Sequence, residues 1–285
     1  MTAVADIADP VSNVSDTARW VAVYRADESA RPDALFHDPL AERLAGPHGR
    51  AIVAAAPRRL RDGWWLVART KVIDDLIAEA IADGCDRVLN LAAGLDTRPY
   101  RLDLPAELLW VEADFAPLVA EKDRMLADEK PRCRLVRRGV DLSDAAQREA
   151  FLTESLAGAS KAFVLTEGLL MYLDDADVRA LSDALHRPAI SWWTADFASP
   201  GLRKSMNDRS GGLLRNAPFR FAPDNGVAFF EKLGWRVEFA ESVLASAYRF
   251  NRLPWFMRLV ARLPQPDLRR PGTKPWSAVV CLRST

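Results

Sequence analysis

The stretch from Arg87 to Arg101, Arg-Val-Leu-Asn-Leu-Ala-Ala-Gly-Leu-Asp-Thr-Arg-Pro-Tyr-Arg, restricts the fold more than any other part of the chain. Residues 88–91 form a short apolar run that stops at three tiny residues. A buried parallel strand reads this way when it feeds a tight turn whose backbone something must approach. A strand followed by Ala-Ala-Gly is weak evidence by itself, because most such turns only reverse the chain. The downstream pattern strengthens it: residues 108–111 read as a second strand ending in two carboxylates, Glu112 and Asp114. Asp114 lies twenty residues beyond Gly94, the spacing at which an acid on the second strand tip accepts hydrogen bonds from a ribose diol. The expected ligand is a nucleoside.

The rest of the chain alternates in the same way. Residues 1–15 have no period and are expected to be a flexible N-terminus, followed by a helical segment over 16–83. Within it, a helix over 17–28 is capped by Ser15 or Asp16, and an amphipathic helix over 64–82 carries Arg69 near its start. After the second strand come a helix over 116–127, a strand at 134–136, a helix capped by Ser143 or Asp144, a strand at 162–166 ending in Glu167-Gly168, and a helix from about Asp174. A fifth strand, 190–197, holds the adjacent Trp192 and Trp193, which must point to opposite faces. Strands alternating with helices describe a parallel sheet covered on both sides, with ligands at the carboxyl ends of its strands, where Gly94, Asp114, Asp141 and Glu167 fall. Residues 199–223, rich in Gly, Arg, Asn, Ser and Pro, are too long for an ordinary connection and read as a cap inserted over the strand tips. A helix over 224–233, strands over 235–239 and 278–282, and an apolar helix around 255–260 complete a single domain over 16–285.

Charge narrows the partners: 39 basic and 39 acidic side chains leave no field for nucleic acid, and the arginines at 132, 134, 137 and 138 read as a solvated strand edge. The three cysteines are scattered without metal-ligand spacing, so neither disulfides nor a metal are expected, and a reducing cytoplasm fits. No run approaches the ~20 apolar residues of a membrane span, so no membrane partner is expected. The oligomeric state is not legible.

Four motifs together resemble the leucine carboxyl methyltransferase family: Asn-Leu-x-Ala-Gly-Leu-Asp-Thr-Arg at 90–98, Val-Glu-x-Asp at 111–114 with Lys122 following, Asp141-Leu142, and Thr-Glu-Gly-Leu-Leu-Met-Tyr-Leu at 166–173. The segment from Arg25 to Ala41 resembles its bacterial and mycobacterial branch of S-adenosylmethionine-dependent O-methyltransferases. The resemblance implies a class I methyltransferase fold, an α/β sheet of seven mostly parallel strands with the last antiparallel, helices on both faces and an added cap. It also implies S-adenosylmethionine as cofactor and a set of contacts to it. Arg69 would pair with the methionyl carboxylate, the backbone at Ala93 and Gly94 would approach the methionine part, and Asp114 would hold the ribose. Asp141 and Leu142 would frame the adenine, Glu167 would lie near the methionyl end, and Arg19 is the nearest match to a further basic residue at the carboxylate. The family usually has glycine where this chain has Ala92, so Ala92 is expected to take negative φ.

Less specific readings stand beside these. Arg69 in an amphipathic helix would ordinarily be an exposed or paired arginine, and Asp114 or Asp141 could cap the helices that follow. Met171 and Tyr172 read as core or pocket wall, and His37, His48 and His186 do not cluster into a catalytic base. The expected reaction is methyl transfer to an oxygen of a small organic acceptor, a carboxylate favoured over a hydroxyl because it is already ionised near neutral pH. No catalytic residue is assigned. An NAD-linked oxidoreductase is the first alternative, though the turn lacks a full Gly-x-Gly-x-x-Gly. A non-catalytic nucleoside-binding protein is the second.

Overall fold

In the computed structural model, which describes residues 11, 14–210, 212–270 and 272–284, seven strands form one sheet. They are β1 (Arg87–Leu91), β2 (Leu109–Asp114), β3 (Arg134–Gly139), β4 (Ala162–Thr166), β5 (Ile190–Ala198), β6 (Trp235–Ser242) and β7 (Ser277–Ser284). Their order is β3-β2-β1-β4-β5-β7-β6; β7 runs antiparallel to both β5 and β6, and the remaining pairs are parallel. The chain steps outward from β1 to β3 and then returns to β4 on the other side of β1. A crevice therefore opens at the carboxyl ends of β1 and β4, where ligands of open α/β sheets bind.

The inner strands β2, β1, β4, β5 and β7 are buried along most of their length because both faces are covered, whereas the edge strands β3 and β6 are only partly buried. Leu89, Val111, Val164 and Trp193 belong to one buried cluster, while Val88, Trp110, Phe163 and Trp192 belong to the other. The two tryptophans thus do lie on opposite faces, and both are buried. The first face packs against α6 (Ala145–Leu156) and α7 (Asp175–Leu185), the second against α3 (Trp64–Ala82) and α10 (Val243–Arg249). Asp144 and Asp174 cap α6 and α7, each accepting from backbone amides of the first turn.

Two helices precede the sheet, α1 (Val14–Ser29) and α2 (Ala41–Ala55), and pack on each other. The first begins at Val14, ahead of the expected Ser15 or Asp16 cap. Apart from residues 11, 14 and 15, the segment read as a flexible N-terminus lies outside the described residues. β3 reaches Gly139, three residues past its expected end, because the charged residues that seemed to end it are paired: Arg137 binds Glu112 and Asp123, and Arg138 binds Glu154. The expected helix over 224–233 is largely turn, with only Ala228–Glu231 helical.

From the segment read as a cap, Leu202, Met206, Leu214 and Phe219 line the crevice at the strand tips. Ser199 caps α8 (Pro200–Arg209), its hydroxyl accepting from Leu202 N and Trp276 N and donating to Lys274 O, which ties the start of the cap to the approach to β7. Leu213, Leu214 and Ala217 then pack with Trp20, Tyr24 and Leu60 in a separate buried cluster, so the cap and the N-terminal helices close over the sheet together.

Candidate functional site

The turn after β1 is built by two left-handed residues, Ala92 (φ 56°) and Gly94 (φ 49°). Ala92 does not take the negative φ expected of it. Its neighbour Ala93 donates to Ala113 O of β2 at 3.1 Å, and that pairing holds the turn flat against the second strand. An alanine in the left-handed region costs roughly 1–2 kcal/mol. Ala92→Gly should therefore raise stability by up to about 1 kcal/mol after the greater freedom of unfolded glycine is subtracted, measurable as a shift in the urea midpoint. A lower midpoint would show that the Ala92 methyl makes contacts that outweigh its backbone strain. At Gly94 a side chain meets a second difficulty beside the backbone conformation: a Cβ there would lie 3.2 Å from the Cβ of Ala18 on α1, which would have to give by a few tenths of an ångström.

Asp114, the last residue of β2, reaches back to this turn. Its Oδ2 accepts from Gly94 N at 2.7 Å and its Oδ1 from Phe115 N at 2.7 Å, and no arginine or lysine pairs with it among the described residues. Burial pushes its carboxyl above the usual 3.8, and the two amides together with the charge of Lys122 do not cancel that push. A carboxylate left short of donors in this way has acceptor capacity to spare for a ligand's hydroxyls. Glu112, two residues earlier on the same face of the strand, is bound by Lys122 at 2.7 Å and Arg137 at 2.8 Å.

Beneath the turn runs a chain of buried charges. Arg69 of α3 donates from Nε to Glu167 at 2.9 Å and from Nη1 to Asp196 at 2.8 Å. Glu167 holds Arg98 at 2.7 Å through its other oxygen, and Arg98 also binds Asp96 at 2.7 Å and Asp74 at 2.6 Å. Arg101 closes the series on Asp74. Asp196 further accepts from Gly168 N at 2.6 Å, fixing the turn after β4. Burial alone would raise the Glu167 carboxyl, but the guanidinium groups of Arg98 and Arg69 overcome it and hold it below its usual range. Pairing explains how a carboxylate can end the apolar strand β4. Arg69 is neither an exposed arginine nor one wholly reserved for a ligand: two of its nitrogens are committed, and Nη2 faces the Gly168 turn, 3.7 Å from where a Cβ on that glycine would sit.

Above these groups lies a cavity of about 670 Å³, within the ~300–1,000 Å³ range of small-molecule sites. Arg69, Ala93, Gly94, Asp114 and Glu167 all line it. Asp141 and Leu142 do not; they line a side cavity of about 160 Å³. Ala92, Asp114, Phe115, Leu169 and Leu173 are common to both, so the two are adjoining compartments with Asp114 at the junction. Asp141 already binds Ser143 through one oxygen, from N at 2.9 Å and from Oγ at 2.6 Å, which holds its carboxyl below the usual range.

Arg19 is not part of this arrangement. It turns to Leu44 O and Glu121, away from the cavity. The basic residue of α1 that does reach the wall is Arg25, bound to Asp38 and Leu95 O. Met171 and Tyr172 are wall residues, as expected, and none of the three histidines lines the cavity.

Beyond the turn the large cavity is walled by Trp20, Trp64, Leu214, Phe219, Met257 and Trp276 among others. These come from five separate parts of the chain. The sequence offered only the cap as a source of such contacts, and nothing local marks the rest. The charge series had one legible element: Arg98 and Asp96 stand inside the motif at 90–98, though neither was assigned a role.

Comparison with known proteins gives a consistent picture. The sequence pattern described as leucine carboxyl methyltransferase matches residues 18–186. A Frankia alni protein named as an S-adenosyl-L-methionine-dependent methyltransferase is 32% identical over 256 residues, covering 84% of this chain and 87% of its own length. A Streptomyces avermitilis protein of the same description is 36% identical over 240 residues, covering 80% of this chain and 84% of the relative. Among solved structures, a methyltransferase from Thermobifida fusca superposes with a TM-score of 0.57 at 15% identity, covering 98% of this chain and 97% of that one, a likeness of fold.

Proposed function

The chain belongs to the leucine carboxyl methyltransferase family and is an S-adenosylmethionine-dependent methyltransferase, and from that premise we propose that it esterifies the carboxylate of a small, largely apolar organic acid. The cofactor supplies a methyl group already activated on a sulfonium. The observation that carries its placement is Asp114, a half-buried carboxylate with no cationic partner among the described residues, at the junction of two cavities. On this reading Asp114 accepts from the ribose hydroxyls, and Leu142 and Asp141 bound the adenine in the side cavity. The left-handed turn at 92–94 admits the methionyl part, and Nη2 of Arg69 meets its carboxylate while Glu167 and Asp196 hold the guanidinium in place.

The rest of the large cavity takes the acceptor. Its aromatic and aliphatic walls favour an apolar body and exclude water from the reacting oxygen. Arg59 and Lys274 line the cavity and form no ion pair among the described residues, so they are available to an acid's carboxylate. Two features support a carboxylate over a hydroxyl. No histidine lines the cavity, and the Tyr172 phenol is pushed above its usual value by burial, so it stays protonated near neutral pH. An ionised acceptor needs no base, and the protein's task reduces to holding oxygen, methyl and sulfur in line.

The test is incubation of the protein and labelled methyl donor with a panel of apolar carboxylic acids and matched alcohols and phenols. Label is expected in acids only, as esters that release methanol in mild base. Base-stable label on a phenol or alcohol would overturn the carboxylate assignment.

The raised carboxyl of Asp114 also sets a pH dependence. Hydroxyl donors favour its ionised form, so cofactor affinity should fall on acidification from a pH above the ordinary aspartate value of 3.8. Titration of S-adenosylhomocysteine across pH should show this fall in the wild type and a flatter profile in Asp114→Asn. Parallel profiles would remove Asp114 from the ribose site.

A further inference from the structure

Helix α11 (Trp255–Ala261) was read from sequence as apolar, which would suit a core helix, yet the structure leaves most of it uncovered. Trp255 is 79% exposed, Leu259 64% and Leu263 62%, with Phe256 and Val260 also exposed. These five recur at helical spacing, and the helical turn continues to Leu263 through its amide bond to Val260 O, so they make one apolar stripe. Met257 and Ala261, on the opposite side, pack on the second buried face of the sheet. Arg258 and Arg262 flank the stripe and, among the described residues, are bonded only to neutral groups: Asn251 and Leu253 O for the first, the Tyr248 hydroxyl for the second. From 252 to 270 the chain carries five arginines against one aspartate; Arg252 and Arg269 pair with carboxylates elsewhere, whereas Arg258, Arg262 and Arg270 form no ion pair among the described residues.

We propose that this face docks on an anionic lipid surface, with α11 lying in the plane of the headgroups, its stripe inserted and its arginines on the phosphates. A short exposed helix bearing tryptophan, phenylalanine and leucine with flanking cations is the form interfacial helices take. The chemistry fits a bilayer better than a second copy of the chain. A two-fold contact through this stripe would set the unpaired arginines of one copy against those of the other. The position also has a consequence for access: Met257, Val260, Leu263 and Pro266 line the large cavity, so its wall is continuous with the docking face. If the proposed function holds, an apolar acid enters from the membrane side; the docking itself does not rest on that reading. No helix among the described residues is long and apolar enough to span a membrane, and docking needs none. The proposal departs from the expectation of no membrane partner, which rested on the absence of a span.

Cosedimentation of the full chain with vesicles tests it, comparing pure phosphatidylcholine with phosphatidylcholine containing about one-third phosphatidylglycerol. The wild type is expected to bind the anionic vesicles and to be released by salt. The triple variant Trp255→Ala, Phe256→Ala, Leu259→Ala and the pair Arg258→Gln, Arg262→Gln should each bind about tenfold or more weakly, with unchanged circular dichroism and S-adenosylhomocysteine affinity. None of these five residues lines the cavity. Absence of wild-type binding, or equal binding by the triple variant, overturns the proposal. So does a wild-type dimer in solution that the triple variant dissociates while vesicles are ignored, since the face would then belong to a second copy.

Discussion

Replacing Arg98 by methionine should cost about 3–5 kcal/mol of stability, the largest effect expected of any single substitution near the site. The Arg98 side chain is 2% exposed and binds Asp74, Asp96 and Glu167, so its removal leaves Asp96 without its counter-ion and leaves Glu167 and Asp74 with only Arg69 and Arg101. Methionine fills much of the same volume, which confines the loss to charge and hydrogen bonds. The pH dependence identifies the cause. In the wild type, burial pushes the Glu167 carboxyl up while Arg98 and Arg69 bring it below its usual 4.5, so its contribution is present above that value and is lost as pH falls through the lowered one. Asp96 behaves alike, held well below the usual range by Arg98 against burial. Without Arg98 both carboxyls rise, the folded state takes up protons before the unfolded one does, and acidification then favours folding. The gap between wild type and variant in urea denaturation should accordingly narrow from pH 7 to pH 5. A loss under about 1 kcal/mol, or a gap independent of pH, would show that the charge series does not hold the site together.

Asp114→Ala should weaken S-adenosylhomocysteine binding by about 1–3 kcal/mol, roughly 5- to 150-fold, through lost hydrogen bonds to the ribose. The structure adds a consequence not legible in the sequence. The same carboxylate accepts from Gly94 N and Phe115 N, so alanine also unfastens the turn and should cost about 1 kcal/mol of stability. Asp114→Asn separates the two effects, because the amide oxygen still accepts from one backbone amide while the negative charge is gone. Its stability should lie closer to wild type than that of the alanine variant, with cofactor affinity still reduced. Calorimetric titration and denaturation on the same samples measure both. Unchanged affinity in both variants would take Asp114 out of the site.

The side of the pocket proposed for the cofactor was legible in sequence as a set of strand ends, because it is built locally, by short strands ending in small or acidic residues. Gly94, Asp114 and Glu167 were found by strand-end position, and the structure brings all three to one cavity. Helix α3 was legible to both ends because its apolar period is unbroken from Trp64 to Ala82 and Gly84 follows. The aromatic wall of the cavity was not legible, since Trp20, Phe219, Met257 and Trp276 meet only after the sheet has ordered the chain. Neither were the partners of buried charges: Asp74 and Glu167 lie 24 and 69 residues from Arg98, with no period to connect them. Arg19 was misplaced for a similar reason. α1 presents two arginines, and only packing decides that Arg25 turns inward while Arg19 meets Glu121. The left-handed Ala92 escaped because residue type argues against it; the bond from Ala93 to β2 imposes it.

The central claim is that the tips of β1, β2 and β4 and the segment after β3 form a single adenosyl site. A crystal structure with S-adenosylhomocysteine addresses it most directly. The account predicts ribose hydroxyls on Asp114, the adenine beside Leu142 in the smaller compartment, and sulfur open to the aromatic-walled chamber. A nucleoside seated elsewhere, or one with Asp114 facing away from its sugar, would contradict it.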